Sequence, residues 1–200
     1  FKLNKQIRIL QCGKLSTIPR YVGDDPDGIN NTVKVLCDGS LVIAAPLLTN
    51  VRNFRDLPPA AGESKTAGIQ VATTEPTEQQ KCDLLAAWYI NISVRSNGVV
   101  IVKDGQTLAV GTGEQDRVGA VEQAIEKFKQ KYTGSATLEG AVMSSDGFFP
   151  FADGLEVAAA AGIKAMVAPS GSLKDADVIK RANELGVALR HAPERIFSHH

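Results

Sequence analysis

The sequence predicts an α/β fold, a mixed sheet flanked by helices, and two patterns carry that expectation. From residue 141 to residue 189, apolar runs and helical periodicity alternate as strand, helix, strand, helix, strand, which requires parallel pairing through right-handed crossovers. Upstream, strand-length apolar runs face each other across Asp38-Gly39 and Asp104-Gly105, so antiparallel hairpins share the design.

In chain order, residues 7–10 alternate with charge, and residues 32–36 and 41–44 flank the first Asp-Gly turn as a hairpin. Residues 23–28 and 50–64 are rich in turn formers and charge, and read as surface loops. Residues 68–72 form a short strand. Glu75-Pro76-Thr77-Glu78 then opens a helix to about residue 92, with proline and acidic groups in its first turn. Leu84, Leu85, Trp88 and Ile92 share one face at helical spacing, which makes Trp88 a core residue rather than a ligand platform.

Residues 98–102 and 107–110 flank the second Asp-Gly turn. Gly111-Thr112-Gly113 precedes a helix over residues 115–132 that turns Val118, Val121, Ile125 and Phe128 inward. Glycines at that place either let backbone N–H groups face an anion or simply turn the chain, and both readings stand. The stretch from Met143 to Gly154 holds three phenylalanines, a proline and two carboxylates, a composition unsuited to a solvated connector. It either plugs a core or lines a pocket. A helix over 154–161, a strand over 163–168, a helix over 174–185 ended by Gly186 and a strand over 187–189 complete the pattern. His191, the one histidine away from residues 199 and 200, falls on that last strand, where a structural role is expected.

Two hundred residues, 44% of them hydrophobic, suffice for one sizeable core, and the length points to a single domain over residues 1–200. Twenty-two basic and 22 acidic residues cancel, and no basic run stands out. Neither nucleic-acid nor membrane-surface binding therefore has its electrostatic footprint, and any anionic ligand must be held locally. Cys12, Cys37 and Cys82 are odd in number and form no C-x-x-C pair, which argues against a disulfide scaffold or structural zinc and fits a reducing, cytoplasmic setting. No apolar run approaches the roughly 18 residues of a membrane span, and no secretion signal is visible.

Three separated blocks then add up in order and spacing: Ser96-Asn97 with Val102-Lys103-Asp104-Gly105-Gln106-Thr107 and Gly111-Thr112-Gly113; Ser145 to Asp153; and Pro169 through Arg195-Ile196-Phe197 to His200. Together they resemble the formyltransferase part of the bifunctional purine-biosynthesis enzymes that formylate aminoimidazole carboxamide ribonucleotide (AICAR) and cyclise the product to inosine monophosphate. The likeness runs from about residue 7 to residue 200. It matches the C-terminal half of that AICAR transformylase region, a subdomain of cytidine-deaminase-like fold, and has no counterpart of the cyclohydrolase domain or the first subdomain.

The resemblance implies a transferase using 10-formyltetrahydrofolate as co-substrate. It implies that Asn97 sits beside the reacting amine and carboxamide, that Arg195 holds the nucleotide phosphate, and that Lys103, Gly111 and Gly113 belong to the nucleotide side. Phe148, Pro150 and Phe151 would flank the folate ring, with Asp153 accepting hydrogen bonds from it. Asp146 and carbonyls near Ser96 would form a corner for a monovalent cation, potassium. The chain departs from the family pattern at Glu114 and Asp116, where glutamine and serine are usual, at Ala152, where arginine is usual, and at Ile43-Ala44. The family's lysine–histidine pair for proton transfer is absent. The expected unit is therefore a homodimer, or a complex with a chain that supplies the first subdomain. A non-catalytic paralogue that binds a purine nucleotide or folate is the alternative.

Overall fold

A computed structural model describes residues 11, 13, 18–24, 31–132, 134 and 136–198, and the chain forms two compact units, residues 1–48 and 49–200. The strand expected at 7–10, Cys12, most of the 23–28 turn, Thr133, Ser135, His199 and His200 lie outside the described residues. In the first unit, β1 (Thr32–Val35) and β2 (Leu41–Ala44) pair antiparallel, with Val33 opposite Ile43 and Val35 opposite Leu41. Gly39 closes the turn at φ +83°, a conformation glycine adopts without steric cost.

The second unit begins with a correction. Residues 61–64, expected within a loop, are strand β3 (Ala61–Ser64), which pairs antiparallel with β4 (Gly68–Val71). Helix α1 (Glu78–Asn91) starts at Thr77, whose hydroxyl accepts the Gln80 N–H while the Gln80 side chain accepts the Thr77 N–H. This reciprocal cap satisfies two of the donors a helix start leaves open. Leu84 and Trp88 are fully buried as expected, and Asp83, Ala87 and Asn91 share that buried face. The Trp88 indole N–H donates to Thr49 Oγ1 at 3.0 Å, so this large side chain is buried without an orphaned donor.

Next come β5 (Val99–Lys103), β6 (Gln106–Gly111), α2 (Arg117–Lys131), β7 (Val142–Ser145), α3 (Asp153–Ala160), β8 (Ala165–Pro169), α4 (Asp175–Leu185) and β9 (Ala188–Ala192). Five of these strands form one sheet in the order β6-β5-β7-β8-β9. β5 runs antiparallel to both neighbours, whereas β7, β8 and β9 are parallel, which is the mixed sheet the sequence predicts. The two Asp-Gly amides of the β5–β6 turn donate to the buried Asp83 carboxylate at 2.8 Å each, which pins the hairpin to α1.

Side chains alternate across a strand, and here both faces are buried. Val99, Ile101, Met143, Met166 and Leu189 join the core built with α2, α3 and α4. The alternate positions Val100, Val102, Val142 and Val167 are equally buried and fall on the opposite face, where α1 packs. The outer edge of β9 is not left open: Ala60 donates to Leu189 O and His191 to Pro58 O, each at 3.0 Å. Gly186 ends α4 at φ +65° as a left-handed cap, as expected. Among the described residues, no helix is long and apolar enough to cross a membrane.

Candidate functional site

Parallel strands of an open sheet leave a crevice beyond their carboxyl ends. Because β5 is antiparallel to β7, its start lies at that same end, and four loops converge there. They enclose a pocket of about 420 Å³ lined by Asn97 before β5, Gln115, Asp116 and Arg117 at the start of α2, Gly147, Phe148 and Pro150 after β7, and Arg195 and Phe197 after β9.

The floor is built on Asp146, which is fully buried. One carboxylate oxygen accepts from the Ser96 hydroxyl and from the Gly98 N–H at 2.8 Å; the other takes Arg117 Nη1 in a close ion pair. Arg117 Nη1 also donates to Gly98 O at 3.2 Å, and Nη2 donates to Asn97 Oδ1 at 2.8 Å. The Asn97 amide completes the chain by donating through Nδ2 to the main-chain carbonyl of Glu114 at 2.9 Å. Both Nη groups of Arg117 and both oxygens of Asp146 are engaged, while the buried Arg117 Nε finds no partner; removing either member of the pair would strand the other's charge. The segment after β9 is joined to the same floor: Ile196 N–H donates to Asp146 O at 3.2 Å, and Ser96 and Ser198 exchange two bonds of 2.7 Å.

The wall is aromatic. Phe149 is buried beneath α3, with Leu155 in the same core, while Phe148 and Pro150 remain half-buried at the pocket. The Arg195 guanidinium lies 4.6 Å from the Phe148 ring centroid, a cation–π stack. Gly171 leaves room for it, since a Cβ there would lie 2.9 Å from Arg195 Nη2. Glu194, a conceivable partner for Arg195, is instead engaged by Thr49 and Asn50.

The stretch from Met143 to Gly154 thus both plugs the core, through Phe149, and lines a pocket, through Phe148 and Pro150. Of the residues singled out in the sequence, the pocket gathers Asn97, Phe148, Pro150 and Arg195, with Asp146 directly below. Phe151 is 61% exposed on that loop, and Asp153, the first residue of α3, accepts its own neighbour's N–H, from Gly154, at 2.7 Å; both lie outside the lining. Lys103 ends β5 beside the distant turn. It lies six positions along the chain from Asn97, about 20 Å at strand rise.

The two glycines before α2 have structural work. A Cβ on Gly111 would lie 2.0 Å from Ala120 O, so its absence lets α2 press against β6. Gly113 turns the chain at φ +72°, its N–H donates to Arg95 O at 3.1 Å, and the Thr112 N–H donates to Gln123. With those two donors occupied, the tight-turn reading fits.

The departures also find places. Asp116 caps α2 by accepting the Gly119 N–H at 2.6 Å, a task carboxylate and hydroxyl perform alike. The Glu114 side chain turns to Gln123, and its carbonyl serves Asn97. Ala152 occupies the start of α3 without a side-chain cap.

Arg117 and Asn91 were not apparent as site residues from sequence. Arg117 is the first residue of α2, where a cation opposes the helix dipole, and that anomaly was the available signal. Asn91 Oδ1 is a buried acceptor without a donor. The space in front of Gly98 is filled: a Cβ there would lie 2.9 Å from Val94 Cγ1, 3.0 Å from Asn91 Oδ1 and 3.1 Å from Asp146 Oδ2. Asn91 Oδ1 and the Asp146 carboxylate are oxygen ligands of the kind a monovalent cation takes; among the described residues no group of three or more His, Cys, Asp or Glu could hold a metal. His191 is partly buried, which lowers its pKa, while the nearby Asp175 carboxylate opposes that shift.

Comparison with known proteins agrees with the motifs. A profile of the AICARFT/IMPCHase bienzyme family matches residues 4–127. The bifunctional purine biosynthesis protein PurH of Nostoc punctiforme is 37% identical over 194 residues, covering 96% of this chain and 32% of that protein. The PurH proteins of a Synechococcus and of Oceanobacillus iheyensis are 46% and 43% identical over 124 and 140 residues, covering 62% and 70% of this chain and 23% and 26% of theirs. The chain spans about a third, or less, of the length of these curated relatives. On these matches the chain belongs to the AICARFT/IMPCHase bienzyme family.

Proposed function

We propose that this chain forms one face of a formyltransferase site in purine synthesis, where 10-formyltetrahydrofolate gives its formyl group to the amine of aminoimidazole carboxamide ribonucleotide. One observation carries the reading: a fixed amide, Asn97, stands in a pocket whose wall is the half-buried Phe148–Pro150 edge. In the reaction the amine nitrogen attacks the formyl carbon, the bond to N10 of the folate breaks, and the amine proton ends on N10. Asn97 offers a lone pair to the amine or carboxamide N–H and a donor to a developing oxyanion. Phe148 and Pro150 give the flat folate ring an apolar wall. Arg195, stacked by its face on Phe148, keeps its edge N–H groups for the nucleotide phosphate.

Proton removal needs a base, and the described pocket residues offer none that is uncommitted. Asp116 caps α2, and guanidinium groups stay protonated. That supports a site completed by a second copy or by a chain carrying the family's other half. Asp146, carbonyls near Ser96 and Asn91 Oδ1 would supply oxygen ligands to a monovalent cation such as potassium. The cytoplasm is the proposed compartment and suits the free, exposed thiols of Cys37 and Cys82.

The missing base equally favours a second reading, a module that binds nucleotide or folate without turnover. Calorimetric titration with each ligand, followed by a formyl-transfer assay of the chain alone and with a first-half partner, separates the two. Turnover in the partner mixture is expected. Binding of both ligands with no turnover in any mixture establishes the module, and absence of both binding and turnover sinks both readings.

A further inference from the structure

We propose that Arg117 is a positioning residue that sets which way the Asn97 amide faces, and that its guanidinium fork, rather than its charge, is what the site requires. The effect on rate rests on the formyl-transfer reading; the geometry stands without it.

Arg117 is 7% exposed and begins α2, where the helix dipole disfavours a cation. Its Nη1 is fixed twice, by the Asp146 carboxylate and by Gly98 O at 3.2 Å, so the planar group has one orientation. Nη2 then reaches Asn97 Oδ1 at 2.8 Å. On its other side the Asn97 amide meets an acceptor, Glu114 O, at 2.9 Å from Nδ2.

A donor on one side and an acceptor on the other leave the amide a single favourable orientation. Reversed, its NH₂ would face the Arg117 N–H groups and its oxygen would face the Glu114 carbonyl, turning two hydrogen bonds into two repulsions. One N–H and one lone pair of Asn97 remain, and Arg117 thereby decides where each sits on the pocket wall. A lysine would still oppose Asp146, but it has no rigid fork with which to hold the carboxylate and the asparagine at fixed places together.

The test is Arg117→Lys in the full chain, read by proton–nitrogen NMR of the Asn97 side-chain amide, assigned by its disappearance in Asn97→Asp. In the unsubstituted protein the proton shared with Glu114 exchanges slowly with water. In Arg117→Lys its exchange accelerates at least about tenfold, consistent with loss of a hydrogen-bonded state, and the two amide proton signals converge. In a partner-complemented assay kcat falls roughly a hundredfold, as a misplaced contact group would cause, with the folate KM little changed. A folded Arg117→Lys whose Asn97 amide keeps its exchange rate and shifts overturns the proposal.

Should that variant not fold, the unsubstituted protein decides alone. Slowly exchanging, resolved Arg117 Nη protons with cross-peaks to the Asn97 amide support the proposal, and a freely rotating guanidinium overturns it. If the unsubstituted protein neither binds nucleotide nor turns over, the formyl-transfer reading falls while the amide measurement still settles the role of Arg117.

Discussion

Replacing Gly111 by alanine tests how closely α2 must approach the sheet. The added Cβ would lie 2.0 Å from Ala120 O and 3.0 Å from Val99 Cγ2, against 3.4–4 Å for an ordinary contact. The obstruction is backbone, in the buried first turns of α2, so no side chain can swing aside. The helix must retreat by more than an ångström, and overpacking of this kind costs about 3 kcal/mol. For a chain of this size that lowers Tm by roughly 10 °C. Trp88, the single tryptophan, is fully buried and reports unfolding by its fluorescence in urea. The same retreat carries Arg117, three residues before Ala120, away from Asp146 and Asn97, so nucleotide affinity should fall together with stability. A Gly111→Ala protein within about 0.5 kcal/mol of the parent would refute the argument that glycine is needed for this approach.

Three further outcomes are expected. Asp146→Asn replaces an acceptor of three donors by a group that itself donates, and should lower stability by about 3 kcal/mol in urea titration; an unchanged midpoint would show that the buried pair is not structural. Phe148→Ala removes the partly exposed stack with Arg195, so stability should change by about 1 kcal/mol or less while folate affinity falls about tenfold by calorimetry. Equal folate binding would remove Phe148 from the wall. For His191, burial holds the native pKa below 6.5, so as the pH falls the unfolded chain takes up the proton first. Stability then declines from about pH 6.5 down to the depressed native value and levels off below it, and urea midpoints of His191→Gln should lack that slope. A slope that survives the substitution assigns it to another group.

The elements written into local pattern were legible and the ones defined by partners were not. The alternation after residue 141 and the two Asp-Gly hairpins appear where periodicity and turn chemistry place them, with ends displaced by at most three residues. β3 escaped because Ala-Gly-Glu-Ser has no β-branched residue and owes its extended form to pairing with β4. In the site, the aromatic loop and Asn97 could be singled out from unusual composition and motif. Arg117 could not, because its role depends on Asp146, 29 residues away and brought beside it only by the sheet. Gly111 and Gly113 look alike in sequence. In the fold one clears a path for a carbonyl and the other turns the chain.

The seam that ties the segment after β9 to the floor joins residues 102 apart in sequence, Ser198 and Ser96. Closing a loop of that length carries an entropic cost that the sheet between the two residues offsets by holding them side by side. The amides of Ser96, Asp146 and Ser198 are all hydrogen-bonded in this seam, and their exchange reads how firmly the segment is held to the floor. A ligand that binds the closed pocket stabilises the folded unit as a whole, so saturating nucleotide should slow hydrogen exchange at the core residue Trp88 as well as at Asn97.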